Sequence, residues 1–392
     1  MRTGFSFNVD TSNSGARLGE LNTPHGKVNT PAFMPVATQA TVKTLTPEEV
    51  SHSGAEMILS NAYHLYLRPG VETVRKLGGL HQFMKWNGPI LTDSGGFQAF
   101  SMGSLGKADE VGIRFRSHVD GSEHRFTPEV AIKNQEGLGA DIIMCLDQCI
   151  AYGETREAVV AAMNRTHRWA LISRQTHDES QEPYQQALFG IVQGGIYPDL
   201  RTESVAALSE IPFDGFAIGG LAVGESKSQM YEIVDLVSNL LPVGKPRYLM
   251  GVGSPEDLVE SVARGVDMFD CVLPTRVARN GALFTKYGRI NVGNRRFAQQ
   301  TEPIEEDCDC YCCVNYSAAY VWHLFKAKEI LGLRLATVHN LRFLQKLMSG
   351  IRISIEQNQF SGFRNKFWEQ YIPTDEATRQ AQKQKWLIAR GS

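Results

Sequence analysis

Short apolar segments recur along this chain of 392 residues, and stretches long enough for a helix separate them. Their length and their content of Val, Ile, Leu and Phe are typical of buried strands. Strands that alternate with helices pair in parallel, and eight of them suffice to close a ring. The sequence therefore predicts an α/β fold, a (β/α)₈ TIM barrel, with strands at residues 32–37, 57–60, 89–92, 141–146, 187–192, 215–218, 247–250 and 266–269.

The starts of several predicted helices are marked by a capping residue, a proline and an acid. Residues 46–48 and 127–129 read Thr-Pro-Glu, and residues 254–256 read Ser-Pro-Glu. Proline suits the first turn, where the backbone N–H has no helical partner, and an acid complements the positive end of the helix dipole. These boundaries support the alternation of strands and helices.

Polar or glycine residues stand at the ends of consecutive predicted strands. In a closed parallel barrel the C-terminal strand ends lie on one face and carry the chemistry. An open, doubly wound sheet is the alternative, and it would spread these residues along one crevice. The pattern favours the closed barrel. From the third strand to the eighth, the strand-end residues are Asp93, Asp147, Gln193, Gly219 with Gly220, Gly251 and Asp270.

The two ends of the chain depart from this alternation. Residues 16–30 predict a β-hairpin that turns at residues 22–26 and covers the bottom of the barrel. After Phe297 the chain becomes acidic, then cysteine-rich, then helical from residue 317 to about residue 331 and again after His339. We expect three parts, which are the barrel with its N-terminal hairpin at residues 1–297, a zinc-binding helical subdomain at 298–350, and a C-terminal helical tail packed on the barrel at 351–392.

A cluster of cysteines predicts a metal site. Four of the seven cysteines fall within six residues, at Cys308, Cys310, Cys312 and Cys313. Three thiolates and one imidazole fill the tetrahedral shell of Zn²⁺ and leave no open position, which is typical of a structural site. The spacing leaves open whether Cys312 replaces one of the other thiolates. It also leaves open whether the histidine is His323 or His339.

A stretch without acidic residues lies at 274–297, directly after the last predicted strand. It contains six basic residues, although the whole chain has a formal net charge of only −2. Such a local cationic surface indicates a partner that carries phosphate, while a solvated cationic face is the plainer interpretation. The chain lacks an N-terminal signal segment and any run of about 18 apolar residues, so we expect a cytoplasmic protein with no membrane partner.

Three carboxylates at strand ends are candidates for chemistry: Asp93, Asp147 and Asp270. Each could instead cap the helix that follows its strand, and Asp93 most of all, since Ser94 and two glycines come next. Two carboxylates suit the cleavage of a glycosidic bond with retention, because one attacks the anomeric carbon and the other transfers the proton. A third suits the adjacent N–H donors of guanine. Beside the basic stretch, they predict an enzyme that acts on a nucleic acid.

Two other chemistries fit the residues less well. A metal-dependent barrel hydrolase needs histidine or acid ligands at strand ends, for example after the first strand, where this chain has Thr38 and Gln39. A cysteine nucleophile, Cys149 or Cys271, needs a histidine to activate it, and the sequence places none to do so. A buried inert thiol is the commoner case.

Six segments of the chain resemble tRNA-guanine transglycosylases of the bacterial type. The resemblance runs from about residue 5 to residue 370, and its motifs are long and specific to this family. They are residues 93–98 (DSGGFQ), 193–195 (QGG), 219–225 (GGLAVGE), 248–253 (YLMGVG), 270–276 (DCVLPTR), and the cysteine cluster together with residues 337–340 (TVHN).

The resemblance implies an exchange reaction on tRNA. Guanine at wobble position 34 of tRNAs with a G-U-N anticodon (those for Asp, Asn, His and Tyr) is replaced by a 7-substituted 7-deazaguanine in queuosine biosynthesis. By the same similarity, Asp270 is the nucleophile that forms a covalent tRNA intermediate, and Asp93 is the general acid/base. A homodimer that pairs partly through the zinc subdomain is also implied.

Further roles follow from the same resemblance. Asp147 would read the purine N1–H and amino group, and Gln193 with the Gly220 N–H would hold its carbonyl oxygen. Phe97 and Met250 would sandwich the ring, and the basic stretch would grip the phosphates beside the extracted nucleotide. The remaining base-site residues are Ser94, Cys149 and Leu221, the RNA-binding residues are Thr275, Arg276, Arg279, Lys286 and Arg289, and the zinc ligands are Cys308, Cys310, Cys313 and His339.

Two positions in the sequence bear on which base the enzyme would incorporate. Gln148 stands where bacterial members usually carry an acid, in a neighbourhood that serves the ammonium of the incoming base, so the loss of that acid weakens one electrostatic contact. Val223 looks bacterial, since it leaves little space for the cyclopentenediol of queuine. The resemblance therefore favours 7-aminomethyl-7-deazaguanine, with queuine or the nitrile precursor as alternatives. A non-catalytic subunit of a heterodimeric transglycosylase is a further alternative, although this chain keeps Asp93 and Asp270.

Overall fold

The computed structural model describes residues 4–102, 106–180 and 186–375. Its strands, in chain order, are β1 (Ser6–Asn13), β2 (Ala16–Thr23), β3 (Gly26–Thr30), β4 (Ala32–Ala37), β5 (Ile58–Ser60), β6 (Ile90–Thr92), β7 (Lys107–Ala108), β8 (Ile113–Arg116), β9 (Glu123–Phe126), β10 (Ile142–Met144), β11 (Ala187–Val192), β12 (Gly215–Ile218), β13 (Arg247–Leu249), β14 (Met268–Cys271), β15 (Ala282–Thr285) and β16 (Gly288–Asn291). Its α-helices are α1 (Pro47–His52), α2 (Ala62–Leu67), α3 (Val71–Lys76), α4 (Gly79–Met84), α5 (Gly96–Met102), α6 (Pro128–Leu138), α7 (Arg156–Asp178), α8 (Pro198–Ser209), α9 (Lys227–Leu240), α10 (Pro255–Val262), α11 (Leu273–Arg279), α12 (Tyr311–Asn315), α13 (Ala318–Ala327), α14 (Ile330–Glu356) and α15 (Phe360–Gln370).

Eight parallel strands form a closed barrel, which confirms the predicted TIM-barrel fold. Around the ring the order is β4, β5, β6, β10, β11, β12, β13 and β14, and β14 pairs again with β4. The predicted strands are the observed ones, with ends that differ by at most two residues. One shift matters for the site, because Asp270 lies within β14 rather than after it.

The predicted helix starts are also confirmed. α1 begins at Pro47, α6 at Pro128 and α10 at Pro255. The Thr46 hydroxyl accepts from the backbone of α1, and the Thr127 hydroxyl does the same for α6, so each satisfies an N–H that the helix leaves unpaired. These helices pack their apolar sides on the strands and build the continuous core around the ring.

The predicted N-terminal hairpin lies at the bottom of the barrel. β2 and β3 pair as expected, and β1 adds a third antiparallel strand. The Arg17 Nε lies 3.2 Å from Asp267 Oδ1, next to β14, and the His25 Nδ1 lies 2.7 Å from Asp141 Oδ1, next to β10. Both acids precede their strands, so the sheet covers the N-terminal strand ends, opposite the mouth.

Two small sheets interrupt the alternation and were not predicted. β7, β8 and β9 form an antiparallel sheet between β6 and α6, and β15 pairs with β16 inside the basic stretch. Their strands contain only two to four residues, and all but β15 carry a charged side chain, so they give a weaker signal than the longer apolar runs.

The C-terminal helices differ in one respect from expectation. His339 lies in the middle of α14, whereas the sequence placed it at the start of a helix. The reason is that α14 already begins at Ile330, and its buried residues Leu341, Met348 and Ile355 recur at helical spacing, so the helix continues past residue 350. α15 then packs on the barrel through Arg364, whose guanidinium pairs with Glu260 of α10 at 2.7 Å. Residues 376–392 of the predicted tail lie outside the described residues.

Candidate active site at the mouth of the barrel

Three carboxylates stand on the C-terminal face of the barrel, where the sequence predicted the chemistry. Asp93 follows β6, Asp147 lies three residues beyond β10, and Asp270 lies within β14. Asp93 and Asp147 are buried, and Asp270 is half-buried. Burial, together with the charges of Asp270 and Asp147, raises the pKa of Asp93 to about 7. The acids therefore lie close enough to influence each other's ionisation.

The Asp93 carboxylate is held by the residues that follow β5. The Asn61 side-chain amide donates to Oδ2 at 2.5 Å, and the Ala62 backbone N–H donates to Oδ1 at 2.9 Å. Asn61 also caps α2, since its side-chain oxygen accepts from the His64 N–H at 3.1 Å. The loop between β5 and α2 therefore fixes the direction of the Asp93 carboxylate.

The Asp270 carboxylate is held by the residues of the neighbouring strand. The Tyr248 hydroxyl donates to Oδ1 at 2.6 Å, and the Gly251 N–H donates to the same oxygen at 2.8 Å. Burial raises the pKa of Asp270, while these two donors oppose the shift because they stabilise the carboxylate anion. Both bonds are made to Oδ1, so Oδ2 is the oxygen that can react.

Asp147 and Gln193 form a hydrogen-bonded pair at the ends of β10 and β11. The Gln193 amide donates to Asp147 Oδ2 at 2.7 Å, and the Ser94 side chain bonds to the same carboxylate. Burial raises the pKa of Asp147 to about 6, and these donors oppose the shift. A carboxylate can accept from adjacent N–H groups of a purine, and an amide beside it can donate to the purine's carbonyl oxygen.

Gly220 allows the loop after β12 to approach this pair. Its φ is +66°, and a Cβ there would lie 2.4 Å from Gln193 Oε1, so a larger residue would displace the amide. Leu221 is buried next to it. The Glu225 carboxylate accepts from the backbone N–H groups of Val223 and Gly224 at 3.1 Å each and holds the loop in shape.

The remaining predicted base-site residues surround the mouth. Phe97 is 48% exposed, and Met250 is half-buried at the end of β13. Burial raises the pKa of Cys149 to about 12, and it raises that of Cys271 to about 12 as well. Both therefore stay protonated thiols at neutral pH, which agrees with the expectation that neither is the nucleophile.

The basic stretch begins directly beside Asp270. Arg276 is exposed on α11, whereas Thr275 is buried and its hydroxyl donates to a backbone carbonyl of the same helix. Arg279 is half-buried and donates to the Thr275 carbonyl at 2.8 Å. Lys286 sits at the β15–β16 turn with its Nζ 2.5 Å from Asp307, and Arg289 is half-buried on β16. Arg276 and Lys286 are thus the exposed residues of this set.

The cysteine cluster and one histidine come together next to β15 of the basic stretch. Cys308, Cys310, Cys313 and His339 are all buried, with ligand atoms within 4.8 Å of one another. Their sulfurs lie 3.7, 3.6 and 3.3 Å from His339 Nδ1. A tetrahedral ion with Zn–S and Zn–N bonds of about 2.3 and 2.0 Å places S and N about 3.5 Å apart.

The donor set and its spacing therefore fit a structural zinc ion. His339 Nε2 donates to the Phe284 carbonyl at 2.7 Å, which turns Nδ1 towards the thiolates. Cys312 is also buried but lies outside this group, and His323 is exposed on α13. The structure thus favours Cys308, Cys310, Cys313 and His339 as the ligands, over Cys312 and His323, which the spacing had left open.

Some residues that hold the site were not singled out from the sequence. Asn61 orients Asp93 and Tyr248 orients Asp270. Arg201 is fully buried beneath the base site, where it donates to the carbonyls of Gly195 and Val192 at 2.8 Å each. Asn61 follows the second predicted strand, so a search for polar residues at the ends of strands would have found it. A tyrosine inside a strand and an arginine on a helix give no such signal.

The fold and the site define a TIM-barrel enzyme whose mouth carries a set of interacting carboxylates. A family model described as queuine tRNA-ribosyltransferase matches residues 10–373. Relatives with that name include a protein of Pelotomaculum thermopropionicum, which is 57% identical over 371 residues, covering 95% of this chain and 99% of the relative. Others come from a Thermoanaerobacter species (57% identity, 92% of this chain and 95% of the relative) and Dehalococcoides mccartyi (54% identity, 100% and 98%). The chain belongs to the queuine tRNA-ribosyltransferase family and is a tRNA-guanine transglycosylase, a pentosyltransferase.

Proposed function

We propose that this enzyme exchanges guanine 34 in the anticodon of G-U-N tRNAs for 7-aminomethyl-7-deazaguanine by double displacement. The observation that carries the proposal is the pair Asp93 and Asp270 on one barrel face, where the charge of Asp270 helps to raise the pKa of Asp93. Asp93 is thus a proton donor near neutral pH, and Asp270 is an oriented nucleophile. A retaining exchange needs this division of labour.

In the first displacement, Asp270 Oδ2 attacks C1′ of the ribose. The C1′–O bond forms as the C1′–N9 bond breaks, and the departing guanine takes a proton from Asp93. Tyr248 and Gly251 hold the other oxygen of Asp270, so the attacking oxygen is aimed before the substrate arrives. Because the pKa of Asp93 is about 7, a substantial fraction carries the proton at neutral pH.

In the second displacement, the incoming base attacks C1′ and releases the Asp270 carboxylate. Asp93, now deprotonated, accepts the proton that the incoming base loses from its ring nitrogen. Two inversions at C1′ give net retention, and each group returns to its starting state. A group with a pKa near the working pH serves both as acid and as base, which both displacements require.

Base recognition would rest on the pair of Asp147 and Gln193. Asp147 is charged at neutral pH with a pKa of about 6, so it can accept from the purine N1–H and amino group. Gln193 keeps one amide hydrogen for the purine carbonyl after it has bonded to Asp147. The ring would lie between Phe97 and Met250, whose partial exposure at the mouth leaves room for a flipped base.

The candidate incoming bases differ in the substituent at position 7 of the ring. Gln148 is half-buried beside Asp147, and its side-chain oxygen accepts from the Arg165 guanidinium. A neutral amide bonded to an arginine gives an ammonium less attraction than an acid would. Queuine and the nitrile precursor therefore stay the alternatives to the aminomethyl base. A non-catalytic subunit of a heterodimeric transglycosylase is disfavoured, because Asp93 and Asp270 are present and both are held by hydrogen bonds.

The proposed partners follow from surfaces around the site. Arg276, with Arg279, would contact phosphates of the anticodon loop. A homodimer is supported by exposed apolar side chains next to the cysteine cluster, since Tyr311 and Val314 are 58% and 68% exposed. Within the described residues, no helix is long and apolar enough to cross a membrane. We propose a cytoplasmic enzyme with one structural zinc ion per subunit.

The test of the reaction is guanine exchange on tRNA that carries radiolabelled guanine at position 34. Asp270→Asn should abolish label release and the covalent enzyme–tRNA band on a denaturing gel, while tRNA is still bound. Asp93→Asn should slow both displacements by a factor of at least about one hundred, the usual range for loss of general acid–base catalysis. Asp199→Asn is the control, because that acid is exposed on α8 and pairs with Arg156.

Retained exchange in Asp270→Asn would overturn the nucleophile assignment. Substrate choice is tested by adding 7-aminomethyl-7-deazaguanine, queuine or the nitrile precursor separately to the wild-type enzyme. The base that displaces the label at the lowest concentration is the preferred substrate. Analytical ultracentrifugation of the same preparation measures whether the enzyme is a dimer.

A further inference from the structure

The barrel has a weak seam between the strands that precede Asp93 and Asp147. β6 and β10 are paired at a single residue pair, Ile142 with Leu91. The other seven neighbouring pairs around the ring share two to four residue pairs each. The backbone ladder therefore stops early at this seam, on the side that faces the mouth.

A buried glutamine from the helix layer fills the seam. Gln135 lies on α6 with no exposed surface. Its Oε1 accepts from the Met144 N–H at 2.8 Å and from the Thr92 hydroxyl at 3.2 Å. Its Nε2 donates to the Met144 carbonyl at 2.8 Å and to the Ala131 carbonyl at 3.0 Å. Both backbone groups of Met144 are thus satisfied by one side-chain amide, which takes the place of a peptide from the neighbouring strand.

The two acids lie on either side of this seam, and each is held by hydrogen bonds to its neighbours. Asp93 directly follows Thr92, and its carboxylate is bound by Asn61 and Ala62 from the side of β5. Asp147 lies three residues beyond Met144, and its carboxylate is bound by Gln193 from the side of β11 and by Ser94 from the side of β6. The seam between β6 and β10 is therefore where the spacing of these two acids is set.

We infer that Gln135 is a positioning residue for base exchange: its amide holds the ends of β6 and β10 apart and thereby sets the gap between Asp93 and Asp147 that a purine must enter. This inference rests on the proposed roles of Asp93 and Asp147. The residue touches neither substrate nor reacting atoms, and it acts through the two strands.

Loss of the amide has a definite physical consequence. The N–H and carbonyl of Met144 would be buried without partners, which is costly enough that the strands must rearrange or admit water. If β10 closes onto β6, the Thr92 and Met144 backbones pair and the two acids approach each other. A nearer Asp147 charge raises the pKa of Asp93 further, because it disfavours a second negative charge.

The first variant is Gln135→Leu, which keeps most of the side-chain volume and removes all four hydrogen bonds. We expect kcat/KM for guanine exchange to fall at least tenfold, with a rise in KM for the incoming base. The midpoint of the pH–rate profile that Asp93 governs should move to higher pH. A role in stability alone would lower the melting temperature but leave that midpoint and KM at wild-type values.

The second variant, Gln135→Glu, is isosteric and guards against a leucine variant that does not fold. A protonated glutamic acid can accept from the Met144 N–H and donate to the Met144 carbonyl, as the amide does. A deprotonated one cannot donate, and its charge would face the carbonyl. The ratio of variant to wild-type activity should therefore fall as pH rises from about 5 to 9, since burial raises a carboxyl pKa into this range.

The matched control is Gln345→Leu. Gln345 is also a buried glutamine of the helix layer, and its amide donates to the Phe33 carbonyl of β4 at 3.0 Å, away from the seam. This variant should lose thermal stability and keep the wild-type pH midpoint and KM. If Gln135→Leu behaves in the same way, or if the activity ratio of Gln135→Glu does not change with pH, the positioning role is refuted.

Failure of the proposed function itself is a different outcome. In that case Asp93→Asn and Asp147→Asn would retain exchange and base affinity in the same assays. If those two variants lose activity while Gln135→Leu keeps the wild-type profile, the proposed function stands and only the role of Gln135 falls.

Discussion

The Tyr248 hydroxyl donates a hydrogen bond of 2.6 Å to Oδ1 of Asp270, and the two residues lie on adjacent strands of the closed ring. The Gly251 N–H reaches the same oxygen at 2.8 Å from the loop that follows the tyrosine's strand. The direction of the candidate nucleophile is therefore set by its neighbour β13, and closure of the barrel is what brings the two strands together. Orientation of this kind reduces the rearrangement needed at the moment of attack.

Tyr248→Phe is expected to slow exchange and to shift its acid limb. A hydrogen bond to a charged group contributes about 1.5–3 kcal/mol, which corresponds to about one to two pKa units. Without it the pKa of Asp270, already raised by burial, rises further, so the carboxylate anion forms only at higher pH. We expect at least a tenfold loss of kcat at pH 6 and a smaller loss at pH 8, measured as label release. An acid limb at the wild-type position would mean that the hydroxyl does not stabilise the anion.

Removal of the metal should loosen the basic stretch and spare the base pocket. His339 connects the cysteine cluster to β15 through the Phe284 carbonyl, and β15 follows α11 and Arg276. We expect Cys313→Ala to reduce bound zinc from one ion per chain to none and to lower the melting temperature. Affinity for tRNA should fall more than affinity for free guanine, measured by filter binding and calorimetry.

The control for the metal prediction is His323→Ala. His323 is exposed on α13 and lies outside the group of candidate ligands. Its zinc content, measured by atomic emission, should equal that of the wild-type enzyme. Loss of zinc in this variant, or full retention of zinc in Cys313→Ala, would contradict the assignment of the ligand set.

Arg276 and Lys286 should differ in their effect on tRNA binding. Each phosphate contact adds roughly 0.7–0.9 to the slope of log affinity against log salt concentration. Arg276→Ala should reduce that slope by about one contact. Lys286→Ala should change it less, because its Nζ is already paired with Asp307 at 2.5 Å. Lys27→Ala is the control, because Lys27 lies at the opposite face of the barrel. Equal slopes for all three variants would mean that the basic stretch faces solvent.

Much of the fold and of the placement of the candidate carboxylates could be predicted because both depend on local sequence. A barrel strand such as residues 187–192 is an apolar run between helix signals, and each candidate acid lies in or within three residues of the C-terminal end of such a strand. Asp93, Asp147 and Asp270 were found in this way. The position of each residue along its own strand was enough to place it at the mouth.

The residues that hold these groups depend on which elements become neighbours. Asn61 reaches Asp93 because β5 pairs with β6, and Tyr248 reaches Asp270 because β13 pairs with β14. Gln135 is harder to find from the sequence than Asn61 or Tyr248, since a glutamine on a helix normally indicates an exposed position. It is buried because the ladder between β6 and β10 is incomplete, and an incomplete ladder has no signature in the sequence.

The contact between His25 and Asp141 should make the N-terminal sheet more firmly attached at mildly acidic pH. The hydrogen bond that His25 donates to Asp141 raises the pKa of His25. Burial acts to raise the pKa of Asp141, but the bonds from His25 and His81 help to hold it below its ordinary value. A raised histidine pKa contributes stability that is present below about pH 6.5, the ordinary value, and is lost as pH rises through the folded-state pKa. The lowered aspartate pKa contributes stability above about pH 4, which is lost on further acidification.

His25→Ala should therefore lower the melting temperature more at pH 5.5 than at pH 8.5. The His25 side chain is 35% exposed, so solvent screening keeps the effect small, on the order of a few degrees. His52→Ala, an exposed histidine at the end of α1, gives the baseline for removing an imidazole. A melting-temperature difference between His25→Ala and wild type that is the same at both pH values would show that the pair adds no charge-dependent stability. In that case the sheet is held to the barrel by its buried side chains, such as Leu21 and Val28, and by the bond between Arg17 and Asp267.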